Sequence, residues 1–136
     1  MTDVWQRRVL WIAAAWNVLG GLSALIDPAK HFQQMYTSAL NLNAPLELFL
    51  YRCVWINVLG WGIAYFLAAR LPAARTPVLA GGGLGKAFYA LACFALYAAG
   101  MGTGALLAAG IFDLVLAALF ALALFLRRRS VPAPAG

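Results

Sequence analysis

The sequence predicts an all-α protein, a bundle of four membrane-spanning helices, and three observations carry that prediction. Of its 136 residues 65% are hydrophobic and 10% are charged, with a mean hydropathy of +0.84, whereas soluble domains are roughly half apolar and about a quarter charged. A chain of this length has too little interior to hide so much apolar surface, so lipid is its solvent. Four apolar runs are each long enough to cross ~30 Å of hydrocarbon at ~1.5 Å per helical residue. Seven of the ten basic residues, Arg7, Arg8, Arg70, Arg75, Arg127, Arg128 and Arg129, fall at the ends of those runs. That distribution sets orientation in a membrane and does not form a phosphate-binding face, so no nucleic-acid partner is expected despite the net charge of +6.

The first span runs over about 9–26 and is closed by Asp27-Pro28. Its apolar stretch exceeds the ~7–15 residues of a signal-peptide core, and Trp16, Asn17 and Gly20-Gly21 are foreign to one, so a retained helix is expected. Asp27-Pro28 also opens a second element, with Asp as N-cap and Pro at the first helical position. Phe32, Met35, Tyr36, Ala39 and Leu40 follow at helical spacing, which predicts a short amphipathic helix over about 28–40 at the outer surface of the membrane. Turn residues Asn41-Leu42-Asn43 end it before Pro45. The second span covers about 46–69, bounded by Pro45 and by Arg70-Leu71-Pro72; the third covers about 77–99; the fourth covers about 105–126 and meets three arginines. Residues 1–129 form one domain, and the Pro/Ala-rich tail at 130–136 is expected to be disordered. Because the arginines gather at the N-terminus, the second loop and the C-terminus, both termini are expected on the cytoplasmic side of a bacterial inner membrane.

Polar residues inside the spans are the candidate site. Charges in hydrocarbon cost at least ~2.5–3.5 kcal/mol each and therefore face the bundle interior and pair. Lys86 in the third span and Asp113 in the fourth come within about 5 Å in depth on antiparallel neighbours, which predicts an ion pair near the midplane. Asn17 and Asn57 fall in the layer of Lys86. Each of these residues shares a helix face with small ones: Asp113 with Ala109, Ala117 and Ala121, Lys86 with Gly82 and Ala90, Asn17 with Ala13 and Gly21, and Asn57 with Cys53, Gly60 and Ala64. Such faces let helix backbones approach closely. Arg52 sits nearer the outer boundary, where its stem either snorkels to the headgroups or reaches Asp113; Glu47, about 140° away around the helix, is a poor partner for it. The candidate polar network is therefore Asn17, Arg52, Asn57, Lys86 and Asp113. A carboxylate held between two cations stays ionised, which argues against a proton relay. Trp16, Trp55, Trp61 and Tyr89 are the candidate aromatic lining, with lipid contact and packing as their ordinary alternative.

Other signals are weaker. Cys53 and Cys93 lie in apolar stretches with no C-x-x-C motif and read as small apolar residues, a disulfide between neighbouring helices being the alternative. His31 is the only histidine, so a bis-histidine haem or a histidine-cluster metal site is excluded within one chain, and no metal, cofactor or catalytic residue is expected. Gly81-Gly82-Gly83-x-Gly85-Lys86 lacks the spacing of a phosphate loop. Asn17-Val18-Leu19-Gly20 recurs as Asn57-Val58-Leu59-Gly60 on oppositely directed spans, which reads as shared packing more readily than as an inverted transporter repeat.

Three features give the chain a likeness: Glu47-x4-Arg52 opening the second span, Gly60-Trp61-Gly62-Ile63-Ala64-Tyr65 closing it, and an acidic residue in the fourth span. Over roughly 7–126 it resembles the DoxX-like small four-helix inner-membrane proteins of bacteria. The resemblance implies that fold and, for a few members, service as membrane subunits of oxidoreductases; it carries over no catalytic residue. Three functions are compatible with the residues: a binding protein that holds a lipid, a quinone-like molecule or another small amphipathic ligand at the polar network, an oligomeric transporter or channel, and a membrane accessory subunit of a redox complex. Expected partners are membrane lipids and a second copy or a partner membrane subunit.

Overall fold

The computed structural model describes residues 2–129, and the tail at 130–136 lies outside the described residues. Five helices follow one another: α1 Thr2–Ile26, α2 Pro28–Met35, α3 Pro45–Arg70, α4 Arg75–Ala98 and α5 Gly104–Arg129, with a 3-10 turn at Pro72–Ala74 between α3 and α4. Among the described residues α1, α3, α4 and α5 are long and apolar enough to cross a membrane. The helix of α1 starts seven residues before the predicted span. Its first turns carry Asp3, Gln6, Arg7 and Arg8, so hydropathy hides a helix that the backbone nevertheless continues.

The helices pack as two antiparallel pairs, α1 with α3 and α4 with α5, and contact across the pairs is much sparser. Close approach within each pair depends on glycine. A Cβ at Gly62 of α3 would stand 2.8 Å from Val18 Cγ2 of α1, and one at Gly110 of α5 would stand 2.8 Å from Cys93 Cβ of α4. Both distances are impossible for a real side chain, so these faces are set for backbone-to-backbone packing.

The two pairs meet at the end bearing Thr2 and Arg129. There Leu10, Ala13 and Ala14 of α1, Tyr65 and Ala68 of α3, Leu79 of α4, and Leu116 and Phe120 of α5 form one continuous apolar core. Arg75, only 2% exposed, clamps the same end. Its guanidinium donates to the carbonyls of Ala68 (3.0 Å) and Ala69 (3.3 Å) in the last turn of α3, and pairs with Asp3 at the start of α1. It thus satisfies carbonyls near a helix C-terminus that the 3-10 turn leaves bare. Gln6 adds a bond from Nε2 to the Ala123 carbonyl and accepts from Arg127.

At the opposite end the core splits into two clusters. Ala24, Leu40, Tyr51 and Trp55 belong to the α1/α3 pair; Cys93, Leu106 and Ala109 belong to the α4/α5 pair and gather around Met35 of α2. Helix α2 lies across the gap. Asp27 caps it by accepting from the Lys30 amide, with Pro28 at its first position. It ends at Met35, five residues short of the periodicity, because the chain turns to extended geometry at Tyr36 and pairs with the α4–α5 loop. Thr37 N donates to Met101 O (3.1 Å), Thr103 N to Met35 O (3.0 Å) and Thr103 Oγ1 to Gln34 O (2.5 Å). These bonds satisfy the last carbonyls of α2 that a longer helix would have bonded internally. Leu40, expected on that helix, instead reaches the cluster at Tyr51 and Trp55 from the following loop.

Candidate functional site

Between the two helix pairs, beneath α2, lies a cavity of about 1200 Å³. All five helices contribute to its wall, and the arrangement follows from the fold: the pairs join at one end and part toward the other.

Its polar centre is built on Lys86. The Nζ donates to Asp113 Oδ1 at 2.7 Å and to Asn17 Oδ1 at 2.9 Å, and all three side chains are buried. Asn17 is itself fixed, since its amide nitrogen donates to the Val58 carbonyl of α3 at 3.2 Å. The network therefore ties α1, α3, α4 and α5 together. Tyr65 lies beside it with its ring 5.6 Å from Lys86 Nζ, a separation that suits cation–π attraction. Glycine makes room for that ring: a Cβ at Gly82 would meet the Tyr65 hydroxyl at 2.6 Å.

Three of the five expected network residues are thus joined by hydrogen bonds. Asn57 borders the cavity but bonds to no protein group among the described residues. Its small-residue face is not a helix contact either, since nothing lies within 4 Å of a Cβ at Gly60. Arg52 is exposed on α3, away from the cavity lining, and forms no ion pair among the described residues; the carboxylate it was a candidate to share is held by Lys86. Trp16, Trp55, Trp61 and Tyr89 all border the cavity. Trp16 packs on Phe112 with ring centroids 4.4 Å apart, so one aromatic stack bridges the α1–α5 gap. Several lining residues, among them Val54, Asn57, Trp61 and Ala108, are also exposed, so the cavity opens sideways between the helix pairs.

The roof was not foreseen. His31, Gln34 and Met35 of α2 face the cavity. The His31 Nδ1 shares a hydrogen bond of 2.8 Å with the Tyr51 hydroxyl, and its ring meets Trp55 edge-on at 4.4 Å. Burial holds the imidazole below its ordinary pKa, so it is neutral at neutral pH. The signal lay in the spacing of His31 and Met35, four residues apart on a capped helix; a lone histidine next to a span end does not disclose it. Tyr65 was not among the expected site residues, although it follows Asn57 and Trp61 at helical spacing.

Both cysteines are free, Cys93 buried and Cys53 exposed at the cavity wall. Among the described residues no three His, Cys, Asp or Glu side chains gather as metal ligands would.

No family model, curated protein or solved structure matches the chain. What the site can do is therefore read from its own chemistry: an apolar, aromatic-walled space with a few convergent polar groups at one end, the usual form of a small-molecule site.

Proposed function

We propose that this protein is a non-enzymatic membrane binding protein that holds a small amphipathic molecule in the cavity between its helix pairs. The observation that carries the reading is the coincidence of apolar walls with the buried Lys86–Asp113–Asn17 centre in one space of about 1200 Å³. That volume exceeds the roughly 300–1,000 Å³ of ordinary ligand pockets, which leaves room for a headgroup and part of a hydrocarbon chain. The sideways opening lets such a chain enter from the lipid.

A channel or transporter is the second reading, and one observation disfavours it. Among the described residues, the continuous core around Leu10, Leu79, Leu116 and Phe120 closes the bundle at the end bearing Thr2 and Arg129, so the cavity does not run through to that end. A membrane accessory subunit of a redox complex remains compatible with the likeness to DoxX-like proteins, and bound ligand and partner would then act together. Placement in a bacterial inner membrane with both termini cytoplasmic, and α2 at the outer surface, is part of the proposal. Its support is the gathering of Arg7, Arg8, Arg70, Arg75 and Arg127 at one end of the bundle.

Purification in mild detergent, followed by native mass spectrometry, tests the reading. A co-purifying lipid-like species lost in Asp113→Leu/Lys86→Met supports it. Saturable ion flux in proteoliposomes, with no bound species, would replace it with the transporter.

A further inference from the structure

The charge inventory of the cavity narrows the class of ligand. Among the described residues Lys86 and Asp113 are the only Lys, Arg, Asp or Glu that line it, and they face each other at 2.7 Å. Wherever the proton sits along that bond, the pair sums to zero. Asn17 adds no charge: its oxygen accepts from Lys86 and its nitrogen donates to Val58, which leaves one N–H and one lone pair. Arg52, the one further cation inside a span, stands outside the wall. His31 at the roof is held by Tyr51.

What remains unused is hydrogen-bonding capacity of both kinds. An ammonium has three donors and Lys86 spends two; the Asp113 carboxylate, beside the Trp16 indole, still has lone pairs to offer; the Asn57 amide carries two donors and an acceptor with no protein partner among the described residues. A charged headgroup would have to break the ion pair or remain uncompensated in an apolar space, and both are costly. An uncharged group that both donates and accepts meets neither cost and uses every free position.

We infer that the cavity selects an amphipathic molecule with an uncharged hydroxyl-, carbonyl- or amide-bearing headgroup, seated between the Lys86–Asp113 pair and Asn57, and discriminates against anionic and cationic lipids of equal chain length. This deepens the proposal above and rests on it.

Four probes with one alkyl chain decide the matter: oleyl alcohol, oleamide, oleyl sulfate and oleylammonium, each titrated into the purified full chain and read by native mass spectrometry near neutral pH. Oleyl alcohol and oleamide are expected to bind saturably at one copy per chain, about tenfold or more tighter than either charged probe. Asp113→Asn leaves a net positive site and shifts the preference to oleyl sulfate; Lys86→Gln shifts it to oleylammonium; the double variant restores the neutral probes. Should those variants misfold, Asn57→Leu leaves the ion pair intact and is expected to weaken the neutral probes about three- to tenfold without lowering the melting temperature. Charged probes that bind the unaltered protein as tightly as neutral ones overturn this inference and leave the cavity a binding site. Neutral binding undiminished in Asn57→Leu also overturns it. Saturable binding by none of the four removes the site itself.

Discussion

At the end bearing Thr2 and Arg129, four helices meet in one apolar core around Leu10, Tyr65, Leu79 and Phe120, and Arg75 locks their ends. At the other end the same helices separate into two pairs, each with its own small cluster, and α2 crosses between them. Large apolar side chains occur in both halves, so their presence alone does not make the difference. Packing partners do. In the closed half Tyr65 and Phe120 face each other across the pairs at 5.4 Å, whereas in the open half the large side chains stay within one pair or face the cavity. One half holds the bundle together and the other leaves the cavity.

If the halves differ as described, Phe120→Ala should lower stability by about 3–5 kcal/mol, the range for truncating a fully buried aromatic. Val54→Ala, at the cavity edge, should cost about 0.5 kcal/mol or less. Reversible unfolding in mixed detergent measures both, and equal losses would erase the distinction between a closed and an open half. Next in size is the ion pair between the halves. Lys86→Met should cost about 3–5 kcal/mol by leaving Asp113 buried alone, while Lys86→Met/Asp113→Leu should recover most of that loss. Failure of the double variant to recover would mean that the pair is structural cement and not a retained functional centre. Gly82→Ala forces a methyl group against the Tyr65 hydroxyl and should cost about 1–3 kcal/mol. An unchanged melting temperature there would show that the Tyr65 ring moves freely into the cavity.

The smallest effect concerns the roof. Burial lowers the His31 pKa below its ordinary 6.5, so the neutral ring suits the folded state. The docking of α2 should be fully present above about pH 6.5 and weaken as pH falls from there through the lowered folded pKa. Hydrogen-exchange protection factors at Lys30–Met35, corrected for the intrinsic pH dependence of exchange, should fall on acidification in the native chain and be flat with pH in His31→Phe. Acceleration confined to the closed half would contradict the assignment of this titration to the roof.

Hydropathy and arginine placement made the four long helices legible, and depth arithmetic brought Lys86, Asp113 and Asn17 together because antiparallel helices share one rise per residue. What the sequence hid were the features made by pairing partners. Nothing local says that α1 packs on α3 and not equally on α5, so the split that creates the cavity was invisible. Asn57 and Arg52 shared apolar surroundings with the bonded residues, yet rotation about α3 carries Arg52 outward and leaves Asn57 at the wall. Arg75 read as an orientation signal, and only the fold shows it donating into the end of α3. The stop of α2 at Met35 depends on strand-like bonding to Thr103 and Met101, more than sixty residues away, which no window of sequence contains.

The bonds between α2 and the α4–α5 loop also impose an order on biosynthesis. Helices α1 and α3 can pair, with Asn17 reaching Val58, as soon as the first 70 residues have entered the bilayer. Lys86 arrives next, with Asn17 as its polar partner, and waits for its carboxylate until α5 follows. Only once the loop at 99–103 has been made can Thr37 and Thr103 tie α2 down over the gap. The cover of the cavity therefore comes late in synthesis, and a chain halted before Ala99 would hold the α1/α3 pair yet have no anchor for α2.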